Sequence, residues 1–359
     1  MSLSIGIVGL PNVGKSTLFN ALTKNHALAA NYPFATIEPN VGIAAVPDER
    51  LNQLAELVHP AKITPAVVTF VDIAGLVRGA SQGEGLGNKF LAHIRETNAI
   101  CQVVRAFEDA DVQHVSAAID PKNDIETVNA ELILADIATI DNQISRVRGE
   151  TKADPKAADR LQLLERVRSE LGAGKLAGSF LDSTELDELR DLQLLSAKPF
   201  IIAFNLGEDQ LGDEAVKKRL EALVAPCPSV FLSAKLEAEL VELDPAEARE
   251  LLATVGQAES GLSQLAAAGF KALNLQSFLT AGPKEVRAWT INRGDTAPQA
   301  AGVIHTDFAK GFIKAEIVSF DDLVAAGSIA AAKAQGKLRL EGKDYIMQDG
   351  DVVEFRFNV

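Results

Sequence analysis

The residues Gly9-Leu10-Pro11-Asn12-Val13-Gly14-Lys15-Ser16 set two glycines, an ammonium and a hydroxyl at the spacing that wraps a backbone round a phosphate chain. The glycines allow the main chain to approach an anion closely. Successive N–H groups and the start of the following helix then point at it. Lys15 supplies positive charge for the terminal phosphates, and the Ser16 hydroxyl is a hard oxygen ligand for Mg²⁺. Asn12, Val13, Gly14 and Thr17 complete the cradle. Residues 5–8 read as a strand and 16–22 as a helix, which is the context such a loop requires.

A second group follows at Asp72-Ile73-Ala74-Gly75, at the end of another apolar run. A carboxylate there can hold Mg²⁺ through its water shell, and the Gly75 N–H can sense a γ-phosphate. Between the two groups lies Asn31-Tyr32-Pro33-Phe34-Ala35-Thr36, where Thr36 is the candidate to complete the Mg²⁺ shell. The glycine-dense stretch 78–87 reads as a switch loop.

Base recognition falls to Asn205-Leu206-Gly207-Glu208 and Ser233-Ala234-Lys235. Guanine is ordinarily read by Asn-Lys-x-Asp, whose carboxylate accepts from two guanine donors. Here Leu206 replaces the lysine, and Glu208 replaces the aspartate with one methylene more. The carboxylate is then displaced, which favours ATP over GTP. Ser233-Ala234 reads as GTPase-like, so a GTPase switch stays as the alternative.

The elements that must position these residues alternate between strand and helix over 3–120, with strands at 41–46, 66–71 and 100–104. Such alternation implies an α/β domain on a mostly parallel sheet, 1–120 being its first part. Ile133, Ile137, Ile140, Ile144 and Val147 then form one helical stripe, and Leu161, Leu164, Val167 and Leu171 another. Asp154-Pro155 is a helix-start signal. The segment 121–197 therefore reads as an inserted antiparallel helical arm. Over 142–168 it carries seven basic residues against four acidic, a local excess of three. That excess is either a solvated face or a docking tip for an anionic partner. Sheet-like sequence resumes at 199–205 and 230–233, so 198–277 is the second part of the α/β domain. The remainder, 278–359, reads as a small α+β domain with strands at 284–290, 311–318, 344–346 and 352–357 and a helix over 321–334. It holds ten basic and eleven acidic residues, a net of minus one, within a chain of net charge -14.

That acidic excess opposes general coating of nucleic acid, and no DNA partner is expected. No apolar run approaches the roughly 20 residues that span a bilayer, and the first residues lack a signal-peptide pattern. Cys101 and Cys227 lie in or beside apolar runs and read as reduced thiols. The expectation is a cytoplasmic protein with no membrane partner. Without a sustained heptad repeat it is expected to be a monomer. A small-molecule kinase would need a lid or substrate-base motif, and none is visible. A vestigial site is opposed by Lys15, Ser16 and Asp72.

The combination of 9–17, Asp-Ile-Ala-Gly-Leu-Val-Arg-Gly-Ala at 72–80 and Asn-x-x-Glu at 205–208 resembles the Obg-like ATPase (YchF) family. So do Lys-Glu-Val-Arg-Ala-Trp-Thr-Ile (284–291), Ala-Pro-Gln-Ala-Ala-Gly (297–302) and Ile-His-Thr-Asp-Phe (304–308). The resemblance spans essentially the whole chain. It implies an Obg-type G domain interrupted by the arm, then a TGS domain of β-grasp type. It also implies ATP hydrolysis to ADP and phosphate, and association with the ribosome or its large subunit in translation or stress. Many G proteins place a glutamine after the Asp-x-x-Gly glycine; this chain has Leu76, which cannot orient water. The resemblance offers His114 as the substitute, and His93 is a weaker candidate. It further implies that Asn12 holds a K⁺ beside the phosphates, doing the work of an arginine finger.

Overall fold

The computed structural model describes residues 3–24, 40–73, 86–108, 119–150 and 155–358. Seven strands come first: β1 (Ser4–Val8), β2 (Val41–Ala45), β3 (Ile63–Thr64), β4 (Val67–Asp72), β5 (Ala99–Arg105), β6 (Phe200–Asn205) and β7 (Ser229–Leu232). Five more follow: β8 (Leu275–Ala281), β9 (Val286–Asn292), β10 (Phe312–Ser319), β11 (Arg339–Glu341) and β12 (Asp351–Phe357). The described residues fall into two compact units. One gathers 3–24, 40–42, 69–73, 86–108, 119–150 and 155–262; the other gathers 43–68 and 263–358.

In the first unit the strands run in the order β4-β1-β5-β6-β7. The strands β4, β1, β5, β6 and β7 pair in parallel, with Ile7 beside both Asp72 and Cys101, and Arg105 beside Asn205. Every residue of β5 is buried, as expected of a parallel strand covered on both faces. Burial pushes the Cys101 thiol up to about 12 and the half-buried Cys227 thiol to about 11, so neither is a reactive thiolate near neutral pH.

Helices Pro121–Glu150 and Pro155–Gly172 form the arm. Ile133, Ile140, Ile144 and Val147 of the first pack with Leu164, Val167 and Leu171 of the second, on the two stripes seen in the sequence. Asp154 lies outside the described residues. The arm's arginines are matched by carboxylates of the same unit: Arg146 with Glu150, Arg148 with Glu165, Arg160 with Asp191, Arg166 with Glu185 and Arg168 with Asp141. The local basic excess therefore supports a self-paired solvated surface more than a docking tip.

The foot of the arm is fixed by one buried carboxylate. Asp136 accepts from the Leu195 N–H at 2.8 Å, the Ser196 N–H at 2.8 Å and the Ser196 hydroxyl at 2.6 Å. Burial outweighs these bonds and raises its pKa. Both oxygens face donors, so Asp136→Asn turns an N–H₂ against them. We expect this variant to cost roughly 2–4 kcal/mol in denaturant unfolding, because a buried donor is left unpaired.

The second unit has a sheet of order β11-β10-β12-β8-β9-β3. One core joins Phe278, Ile291, Ala300, Ala301, Ile317 and Phe355. The other joins Leu279, Val286, Ala288, Val318 and Leu323 to Leu51, Leu54 and Ala66. The helix Glu49–Val58 and β3 thus pack with the C-terminal strands, although in the sequence they fall within the first α/β part, 1–120. β8 also runs across the 277/278 position where that reading divided the chain. The single helix expected over 321–334 is two, Phe320–Ala326 and Ile329–Ala334. Gly327 adopts φ 76°, a left-handed stop, and Ser328 caps the next helix. The strand expected at 344–346 reduces to a bridge between Ile346 and Thr296. Among the described residues, no helix is long and apolar enough to cross a membrane.

Candidate functional site: a phosphate loop and a base pocket

Parallel α/β sheets place ligand-binding loops beyond the carboxyl ends of their strands. The chemistry-bearing residues gather there. The phosphate loop leaves β1, Asp72 ends β4, Phe107 and Glu108 follow β5, 206–209 follow β6, and Ser233 follows β7. All but Asp72 line a cavity of about 1060 Å³, together with the loop residues 10–12 and 14–17.

Two glycines make the loop's path possible. A Cβ on Gly9 would lie 2.7 Å from the Val103 carbonyl of β5. Gly14 has φ 92°, and a Cβ there would lie 2.2 Å from Asn205 Nδ2. Asn12 also sits in the left-handed region at φ 62°, which asparagine tolerates better than most side chains. Beyond the turn, helix Lys15–Lys24 presents its N-terminus to the cavity.

Lys15 is buried, and its Nζ meets Asp72 Oδ1 at 2.5 Å. Ser16, Thr17 and Asn12 are exposed and line the cavity, whereas Val13 is buried and does not line it. Gly75, Thr36, Leu76 and His114 lie outside the described residues, as do 31–36 and 74–85. His93 is described: it is exposed on helix Leu86–Glu96 and does not line the cavity.

Asn205 has a role the motif alone does not specify. Its Nδ2 donates to the Val13 carbonyl at 2.9 Å, and its Oδ1 accepts from the Ala234 N–H at 2.9 Å. One buried amide thereby ties the phosphate loop to the base-side loop. Leu206 is 1% exposed and packs against Val104, Phe204, Phe231 and Leu236, so it extends the apolar core beneath the pocket. The Ser233 hydroxyl caps helix Ala234–Leu240 by accepting from the Leu236 N–H. Glu208 stands on the rim with its Oε1 3.3 Å from Lys235 Nζ.

Three lining residues carry no signal in the sequence motifs: Phe107, Glu108 and Asp209. A fourth residue acts behind the wall. Arg105 is 1% exposed, donates from Nε to the Phe107 carbonyl at 3.1 Å, and carries its guanidinium 4.5 Å from the Phe107 ring centre. The available signal was a charged residue closing an otherwise uncharged strand, Ala-Ile-Cys-Gln-Val-Val-Arg.

Comparison with known proteins adds a consistent set of likenesses. Residues 4–137 match a family described as 50S ribosome-binding GTPase, and residues 275–358 match YchF-GTPase_C, described as a protein of unknown function. The chain is 50% identical to the ribosome-binding ATPase YchF of Bacillus subtilis and 50% identical to that of Escherichia coli O157:H7, with 100% of each chain covered. Among solved structures it is similar to the Schizosaccharomyces pombe YchF GTPase, at TM-score 0.87 and 38% identity, covering 99% of this chain and 98% of that one. A GTP-binding protein from Pyrococcus horikoshii shares the fold at TM-score 0.59 and 22% identity, covering 99% of this chain and 100% of that one.

Proposed function

The chain belongs to the YchF family, and from that premise we propose that it is a ribosome-binding ATPase, a Mg²⁺-dependent switch that turns ATP into ADP and phosphate. The observation that carries the reading is the convergence of the phosphate loop and both base-side loops on one cavity, with Asp72 held against Lys15 beside it. The relatives' names divide between ATPase and GTPase. Leu206 and Glu208 favour ATP, and a GTPase switch of the same architecture is the alternative.

The loop N–H groups and the Lys15 ammonium bind the phosphates. A triphosphate competes with Asp72 for that ammonium, and the carboxylate it releases can face the metal's waters. The donor set fits Mg²⁺, because the Ser16 hydroxyl and Asp72 carboxylate are hard oxygens and this ion keeps several of its waters. Thr36 would be the further ligand. The ion supplies charge neutralisation at the β- and γ-phosphates. Gly75 would report the γ-phosphate and His114 would orient water. ATP and ADP states would differ in 31–38 and 75–88. Asn12 would hold K⁺ at the same phosphates. We read the protein as a cytoplasmic monomer acting on ribosomes, with neither DNA nor membrane as partner.

Calorimetric titration with ATP and GTP, with and without purified ribosomes, tests this. ATP should bind more tightly, and the ribosome should bind in at least one nucleotide state. Tighter GTP binding would establish the alternative, and silence with both nucleotides would end the reading. Exchanging Na⁺ for K⁺ in a phosphate-release assay should raise turnover several-fold, because a cation at Asn12 offsets charge developing between the β- and γ-phosphates. Equal rates in the two salts would remove that role from Asn12.

A further inference from the structure

We infer that Lys235 is a specificity-determining residue, which lowers the pocket's affinity for guanine by holding the Glu208 carboxylate in an ion pair. The inference rests on the nucleotide reading of this cavity. It concerns a residue outside the Asn-x-x-Glu motif.

Two observations point to it. Lys235 and Glu208 come from different loops, after β7 and β6, and both line the cavity. Lys235 Nζ lies 3.3 Å from Glu208 Oε1, so the one rim carboxylate that sequence reasoning assigned to the base already has a counter-charge. The second is where Lys235 sits. It follows Ala234 in the first turn of helix Ala234–Leu240, where the helix field disfavours a cation. Two carboxylates offset that disadvantage, Glu208 across the rim and Glu239 one turn on at 4.0 Å. The lysine, though mostly exposed, thus keeps its ammonium within reach of both carboxylates.

The consequence follows from donor and acceptor chemistry. Guanine offers N1–H and N2–H₂ together, and a free carboxylate beside them is rewarded. A carboxylate shared with an ammonium is a weaker acceptor, and guanine donors must compete with Lys235 for it. Adenine lacks that paired donor edge, so it loses less. Glu208 is about one-third exposed and Lys235 mostly exposed, which keeps the effect modest. Pairs of this kind change affinities by about 1.4- to fivefold.

The test measures Kd for ATP and GTP in the full chain, in Lys235→Ala, in Glu208→Gln and in the double variant. Lys235→Ala should shift the GTP-to-ATP affinity ratio toward GTP by about 1.4- to fivefold. The same substitution in the Glu208→Gln background should leave the ratio where Glu208→Gln puts it. An unchanged ratio in Lys235→Ala, or an equal shift in both backgrounds, overturns the role. If the wild-type chain binds neither nucleotide, the function reading itself falls and takes this inference with it. Wild-type ATP binding with an unmoved ratio sinks only the inference. Because Lys235 is exposed, the variants should fold, and unchanged thermal unfolding checks this.

Discussion

Lys15→Ala should cut ATP hydrolysis by at least about 100-fold, the scale seen when one preorganised charge-stabilising group is removed from an active site. Lys15 is the only cationic side chain among the loop residues 9–17, and its burial at the carboxyl edge of the sheet leaves it few competing partners. Among the described residues its side chain pairs with Asp72. Removing the ammonium therefore has two effects. The phosphates lose a point charge, and Asp72 loses its neutralising neighbour beside the very place where negative phosphate must settle. Both weaken nucleotide binding. Folding should suffer by roughly 1.5–3 kcal/mol and no more, because Asp72 keeps some access to water. Lys15→Arg should not restore activity, since the planar guanidinium cannot replace a compact ammonium in a tight loop. Phosphate release and calorimetric titration read the result, with thermal unfolding as the folding control. Nucleotide affinity unchanged in Lys15→Ala would show that the triphosphate lies elsewhere.

The parts of this site that the sequence discloses are those whose chemistry is local. A glycine, lysine and serine at fixed spacing between a strand and a helix leave few other readings. The apolar runs of β5 and β6 and the helical stripes of the arm are likewise local periodicities. What the sequence conceals depends on tertiary meeting points. Lys235 and Glu208 lie on loops separated by a whole strand and three helical turns, so nothing local announces their ion pair. Arg105 is legible only as an oddity at a strand end, because its purpose is the Phe107 wall it supports. The helix Glu49–Val58 carries an apolar stripe, yet only packing of Leu51 and Leu54 on Leu279 and Val286 assigns it to the second unit. Gly327 has good helix formers on one side and a serine cap on the other, and the left-handed turn between them outweighs the propensity of the alanines that follow. The arm's basic excess was real as a count. The acidic partners that match it lie mostly on other turns and segments, which a local window does not bring together.

The second large effect should come from Asn205, and its two obvious replacements should behave differently. Asn205→Ala removes a donor to the Val13 carbonyl and an acceptor for the Ala234 N–H, both in a buried setting. Leaving two such groups unpaired costs roughly 2–4 kcal/mol. Part of that cost is local: the phosphate loop and the base-side loop are released from each other, so nucleotide affinity should fall at least tenfold, which is about 1.4 kcal/mol. Asn205→Asp keeps nearly the same shape and should nevertheless be worse at neutral pH. One carboxylate oxygen can still accept from Ala234, but the other is set against the Val13 carbonyl oxygen, acceptor facing acceptor, with an uncompensated charge in a buried place. Gly14 adds to the difficulty, because its backbone packs directly on this amide and leaves no room for the side chain to turn away. Protonation would give the new carboxyl an O–H that can donate to Val13. Affinity of the aspartate variant should therefore recover as pH falls, while that of the alanine variant should not. Titrations of both variants at two pH values decide the matter. If the aspartate variant binds as wild type at neutral pH, the amide is not the tie between the loops. If the two variants respond alike to acid, the Val13 contact is not what holds the phosphate loop in place.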